Sequence, residues 1–254
     1  MIFMVGMLLW KSSQAGKKQK YAAVRERSIL HMRFLCAEVL RGPRTPEAIL
    51  RRRVLAAGKR LRKQGVVQVV LPEDFPCREQ LEKCGLRPVP TLALRRRLAA
   101  DWVRLDLGRR GLSPAGAKVA VCAAQMTGEL VRTVTELALR HRYVLLDLPY
   151  GGEDLCRQLR KEYGVSLLLS PAKEQVESAE ALVLFDARPD LACRNPVVLP
   201  LYDESAPLPA LALPPVLEEA LPEGADRGQL LAALQEAGVL KRGQISLETE
   251  KAAP

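Results

Sequence analysis

Between residues 118 and 186, short apolar runs recur at intervals filled by helix-length segments, and this alternation limits the fold more than any other feature of the chain. KVAVCAA (118–124), YVLLDL (143–148) and ALVLFD (181–186) are apolar almost throughout, as strands buried on both faces are. Residues 127–141 and 151–163 read as the intervening helices, and VSLLLS adds a strand before the last run. A strand that runs parallel to its predecessor needs a crossover, and a helix supplies it. The expectation is an α/β fold with a mostly parallel sheet and helices on both faces.

A second series precedes this one. A strand is predicted over 33–40, followed by a turn at Gly42 and Pro43. Thr45 as N-cap, Pro46 at the first helical position and Glu47 in the first turn then open a helix that stops at Gly65. VVQVVL reads as a buried strand, CREQLEKCG as a short helix ending at Gly85, LRPV as a strand, and residues 91–110 as a longer helix. The opening MIFMVGMLLW supplies ten apolar residues, too few to span a membrane, with Lys11, Lys17, Lys18 and Lys20 after it instead of before it. Residues 1–31 therefore read as an N-terminal extension or a misplaced start, with an interfacial anchor as the other option. The expected division is 1–31 as extension, 32–112 as a basic α/β subdomain, 113–203 as a Rossmann-like subdomain, and 204–254 as a proline-rich segment with a small helix at 226–237 and a tail.

Composition excludes a disordered chain: 48% of the 254 residues are hydrophobic and 27% are charged. The net charge of +10 is uneven, because residues 1–115 hold 25 Lys and Arg against 9 Asp and Glu whereas residues 116–254 hold 14 against 20. A basic half suits nucleic acid, an anionic membrane surface or an acidic protein, reached through residues 44–110 with Arg52 and Arg60 as candidate contacts. A solvated helix surface accounts for the same charges. Three consecutive residues spread over about 200° of a helix, so Arg51–Arg53 and Arg95–Arg97 do not each form one face. The six cysteines show no CxxC spacing and read as buried thiols of a cytoplasmic protein, and the two histidines lack metal-ligand spacing.

A dinucleotide-binding unit places a glycine-rich turn after its first strand so that a pyrophosphate can approach the backbone and the next helix. On that register KVAVCAAQMTG puts Ala123, Gln125 and Gly128 where three glycines would stand. Gln125 fills space that a pyrophosphate needs. Asp147 lies 24 residues beyond Ala123, near the offset of the acid that holds a ribose. Gly151 and Gly152 also precede a helix, but Glu153 and Asp154 in its first turn repel an anion. Asp147 and Asp186 are placed to meet at the carboxyl edge of the sheet.

The helix 91–110, the GLSPAGAKVAV junction and the βαβαβ run after it resemble the passage between the two domains of shikimate dehydrogenase-type enzymes. The likeness covers residues 91–186 and is one of pattern. It implies the fold of that family's linker and NAD(P)-binding domain and withholds the activity, because the Asn-Thr-Asp element of that family is missing, Asp101 falls in mid-helix and no catalytic lysine matches. GxSxG, HExxH and P-loop patterns are absent as well. The reading is a non-catalytic Rossmann-like binding or regulatory module with no expected cofactor. Its alternatives are an NAD(P)-dependent oxidoreductase with an atypical phosphate-binding turn, and a nucleic-acid or anionic-surface binder.

Overall fold

The computed structural model describes residues 4–12, 24–241 and 243–248. They fall into two compact units, the first running to Thr91 and resuming over Ala212–Ile245, the second formed by Leu92–Leu211 with the chain from Ser246 onward.

The first unit begins with strand β1 (Val5–Ser12), then a hairpin of β2 (Val24–Ile29) and β3 (Met32–Arg41), helix α1 (Glu47–Lys63), strand β4 (Gln68–Val70), helix α2 (Arg78–Glu82) and strand β5 (Arg87–Pro88). The sheet order is β2-β3-β1-β4-β5, parallel except for β2, which runs antiparallel along β3. The segment expected to be an extension or a misplaced start thus supplies the middle strand, with Met7 and Leu8 fully buried. Its glycine has a packing reason. A Cβ on Gly6 would lie 2.8 Å from Val66 Cγ1, so the bare backbone lets that side chain close on the strand. Leu50, Val54, Ala57 and Leu61 of α1 pack on Leu8, Leu35 and Val69 of the sheet. The cap of α1 differs from expectation. Pro46 is the N-cap without a side-chain bond, and the Thr45 hydroxyl instead accepts from Gly42 N–H at 2.8 Å within the preceding turn.

The second unit opens with α3 (Leu92–Arg109) and continues through β6 (Lys118–Cys122), α4 (Gly128–Ala138), β7 (Tyr143–Asp147), α5 (Gly152–Tyr163), β8 (Leu168–Leu169), α6 (Lys173–Glu177), β9 (Ala181–Leu184) and β10 (Val197–Pro200). All five strands are parallel in the order β10-β9-β6-β7-β8. Counted from β6, this is the 3-2-1-4-5 order of a Rossmann fold. Val119, Val121, Leu146 and Val183 are each almost wholly buried, consistent with strands covered on both faces.

After the second sheet come β11 (Leu211–Ala212), α7 (Pro215–Glu218), α8 (Arg227–Glu236) and β12 (Ser246–Leu247), with β11 and β12 paired. The small helix expected at 226–237 is present as α8, which buries Leu230, Leu231 and Leu234 in the first unit, and its buried Gln229 accepts from Leu71 N–H at 2.9 Å beside β4.

Candidate functional site

In a Rossmann sheet the crevice lies where strand order reverses, at the carboxyl ends of the first and fourth strands. Here that point is between β6 and β9. The turn of residues 123–127 leaves β6, and Thr127 caps α4 by accepting from Leu130 N–H at 3.1 Å. Ala123 is buried, whereas Ala124, Gln125, Met126, Thr127 and Gly128 are exposed, so the turn is open to solvent. A Cβ on Gly128 would meet nothing within 4 Å, so this glycine is not required for close packing in the way that the third glycine of the fingerprint is. Gly151 is the one held by its surroundings. Its φ is +84°, and a Cβ there would lie 3.1 Å from Met126 Cε.

The groups that would greet a nucleotide are already engaged by the chain itself. Ala124 N–H, the amide at the mouth of the turn, donates to Asp186 Oδ2 at 2.7 Å. Asp147, at the carboxyl end of β7, is paired with Arg188, whose guanidinium also forms two bonds of 2.8 Å to the Asp190 carboxylate. Arg188 is thereby held above its ordinary pKa by the Asp190 and Asp147 hydrogen bonds, and Asp190 is held down to about 2 by Arg188. Asp147 and Asp186 do reach the same edge, but on opposite sides of β6, with Cys122 in register with Asp147 on one side and Leu184 on the other. Cys122 lies beneath them, fully buried, its thiol pushed up to about 12 chiefly by burial. It is an inert core thiol at neutral pH.

Sequence reading placed Ala123, Gln125, Gly128 and Asp147 around this edge but did not find Arg188, Asp190 or the Asp186 bond. Nor did it find Arg96, which pairs with Glu129 in the first turn of α4 at 2.7 Å and lies over the Phe185 ring at 5.3 Å. Arg95 is buried and donates to the carbonyls of Glu204 and Ala206, at 3.0 and 2.6 Å. Arg95 and Arg96 of α3 therefore serve their own unit.

In the first unit, α1 uses Arg51 for Glu47, Arg53 for the Leu40 carbonyl and Arg62 for the Val66 carbonyl. Arg52 and Arg60 are both exposed. At about 100° per residue, Lys59 and Lys63 fall within about 20° of Arg52, whereas Arg60 is turned about 80° away. The exposed line is Arg52, Lys59 and Lys63. Counted over sequence, the first unit holds 22 Lys and Arg against 12 Asp and Glu, and the second 17 against 17, so the whole net charge belongs to the first. Among the described residues no group of three His, Cys, Asp or Glu side chains is placed to hold a metal ion, and no helix is long and apolar enough to cross a membrane.

Neither a protein family nor a curated protein matches the sequence. Among solved structures the chain is similar to D-lactate dehydrogenase from Escherichia coli, with 14% identity and a TM-score of 0.30 over 54% of this chain and 48% of that one. It is also similar to L-tryptophan dehydrogenase from Nostoc punctiforme, with 13% identity and a TM-score of 0.31 over 65% of this chain and 50% of that one. A third is D-mandelate dehydrogenase from Rhodotorula graminis, at 10% identity and a TM-score of 0.28 over 92% of this chain and 78% of that one. The chain spans about half the length of the first two. Scores this low carry no inference about activity. The Rossmann-like assignment rests on the strand order itself.

Proposed function

We propose that this chain is a non-catalytic binding or regulatory module whose second unit keeps the Rossmann frame without taking a dinucleotide in the usual mode. The Asp186 carboxylate on Ala124 N–H carries this reading. A pyrophosphate arriving there must displace a charge-assisted hydrogen bond and meet the carboxylate that made it. The likeness to shikimate dehydrogenase-type enzymes extends, in this reading, to the frame alone, since Asp101 is engaged by Arg140 at 2.7 Å on α3.

A second reading, an NAD(P)-dependent oxidoreductase with an atypical turn, is favoured by the exposure of residues 124–128 and by Asp147 standing at the end of β7. Thermal-shift titrations with NAD, NADP, ATP and S-adenosylmethionine separate the two. A ligand at about a hundred times its Kd stabilises by about 2.7 kcal/mol, which is readily visible as a rise in Tm. No saturable shift is expected in the natural chain. A saturable shift with NAD or NADP that Asp147→Asn abolishes would replace the first reading with the second.

For the first unit we infer an anionic partner, of which nucleic acid is the best match to the exposed line Arg52, Lys59 and Lys63. Within α1 the sole acid is Glu47, and it is already paired with Arg51.

A further inference from the structure

At the amino ends of β1, β3 and β4 the first unit holds a cavity of about 810 Å³, a size ordinary for small-molecule sites. This is the sheet edge opposite the one where α/β folds usually bind ligands. Val5, Phe34 and Ala233, all buried, contribute to its apolar wall. Four ionisable side chains stand around it: Glu26 from β2, His31 from the hairpin turn, Arg33 from β3, and Glu236 from the last turn of α8. We infer that this cavity binds a small molecule with an apolar body and a cationic head.

Three independent observations carry the charge of the head. The carboxyl end of α8 borders the cavity through Glu236, Ala237 and Val239, and a helix C-terminus presents the negative end of its dipole. Such ends are normally complemented by Lys, Arg or His, yet the last turn of α8 contains no basic residue and places Glu236 there instead. Glu26 adds a second carboxylate, and among the described residues neither acid has an ion-pair or hydrogen-bond partner. Arg33 is the opposing charge, and the two carboxylates outnumber it. Arg25 and Arg27, the neighbours of Glu26 on β2, alternate with it along the strand and are not part of the cavity lining.

The hairpin turn points to the same place. Leu30 and His31 have φ of 47° and 71°, the left-handed pair that a two-residue hairpin demands and that Asn-Gly ordinarily supplies. Neither Leu30 nor His31 adopts that conformation without steric cost. The turn that joins β2 to β3 thereby fixes His31 beside the cavity.

The inference stands whether or not the second unit takes a nucleotide. Calorimetric titration of the full chain, at neutral pH and physiological salt, with n-octylammonium, 1-octanol and octanoate below their aggregation concentrations tests it. Octylammonium is expected to bind saturably and at least about tenfold more tightly than octanoate, with octanol between. Glu26→Gln with Glu236→Gln should abolish that preference and leave octanol affinity unchanged, while Ala237→Trp, at an exposed position on the rim, should weaken all three. Thermal melts of the variants establish that they fold. Octanoate binding as tightly as the amine, retention of the preference in the double variant, or no saturable binding by any of the three would overturn the inference.

Discussion

At the scale of single residues, the buried histidine of the second unit gives the clearest expectation. His141 is 4% exposed, its Nδ1 lies 2.5 Å from the Pro114 carbonyl, and its buried Nε2 has no hydrogen-bond partner. Burial lowers its pKa below the ordinary value of 6.5. The folded state therefore binds fewer protons than the unfolded one in the region just below that value. The histidine's contribution is fully present above 6.5 and is lost as pH falls through 6.5 toward the folded pKa. Urea midpoints should accordingly drop between pH 7 and pH 5.5 in the natural protein, and less steeply in His141→Gln. Equal slopes would show that the imidazole does not resist protonation. Residues such as Ala123, Gln125, Gly128 and Asp147 were legible from spacing alone, because a nucleotide turn and its ribose acid have a fixed register. Arg188 was not. Its partnership with Asp147 spans 41 residues, and the Asp186 bond to Ala124 spans 62, so both depend on a strand order that periodicity does not report.

At the scale of elements, α8 shows how a short helix can hold a sheet it follows by a long stretch of chain. Gln229 bonds Leu71 N–H from 158 residues away, and Asp226 N–H donates to the Leu71 carbonyl at 2.7 Å. Truncating the amide would leave a buried N–H without a partner, at a cost of about 1–3 kcal/mol. Gln229→Ala is expected to lower Tm by several degrees, with the loss of hydrogen-exchange protection centred on Leu71. A change confined to α8 would show that the bond does not fasten β4. The sequence identified α8 as a helix but not as core, since residues buried on every side leave no amphipathic stripe. The strands β6, β7 and β9 were plain because buried parallel strands are continuously apolar. β1 was misread for a related reason, its ten-residue apolar run standing at a chain terminus with a basic stretch behind it. β2 escaped because VRERSI is largely exposed and charged, as a sheet edge tends to be.

At the scale of the whole molecule, charge is partitioned by unit, and a polyanion should bind through the first alone. If Arg52, Lys59 and Lys63 each meet a phosphate of duplex DNA, the logarithm of affinity should fall with the logarithm of salt concentration with a slope of about −2.7. Fluorescence anisotropy with a labelled duplex checks this, and Arg52→Glu with Lys59→Glu should reduce the slope by about two. Arg157→Glu with Lys161→Glu, on exposed positions of the neutral unit, should leave it unchanged. Absence of binding at low salt, or binding only to anionic vesicles, would remove nucleic acid as the partner. The return of the chain to its first unit has a separate consequence. While the protein is being synthesised, the sheet around β1 lacks α8 until Glu236 has been added, whereas all five strands of the second sheet are made by Pro200. On a ribosome extending at about 5–20 residues per second, the half made first waits at least several seconds for α8 after its last strand is made. Factors that shield nascent chains would meet this protein at its amino-terminal sheet.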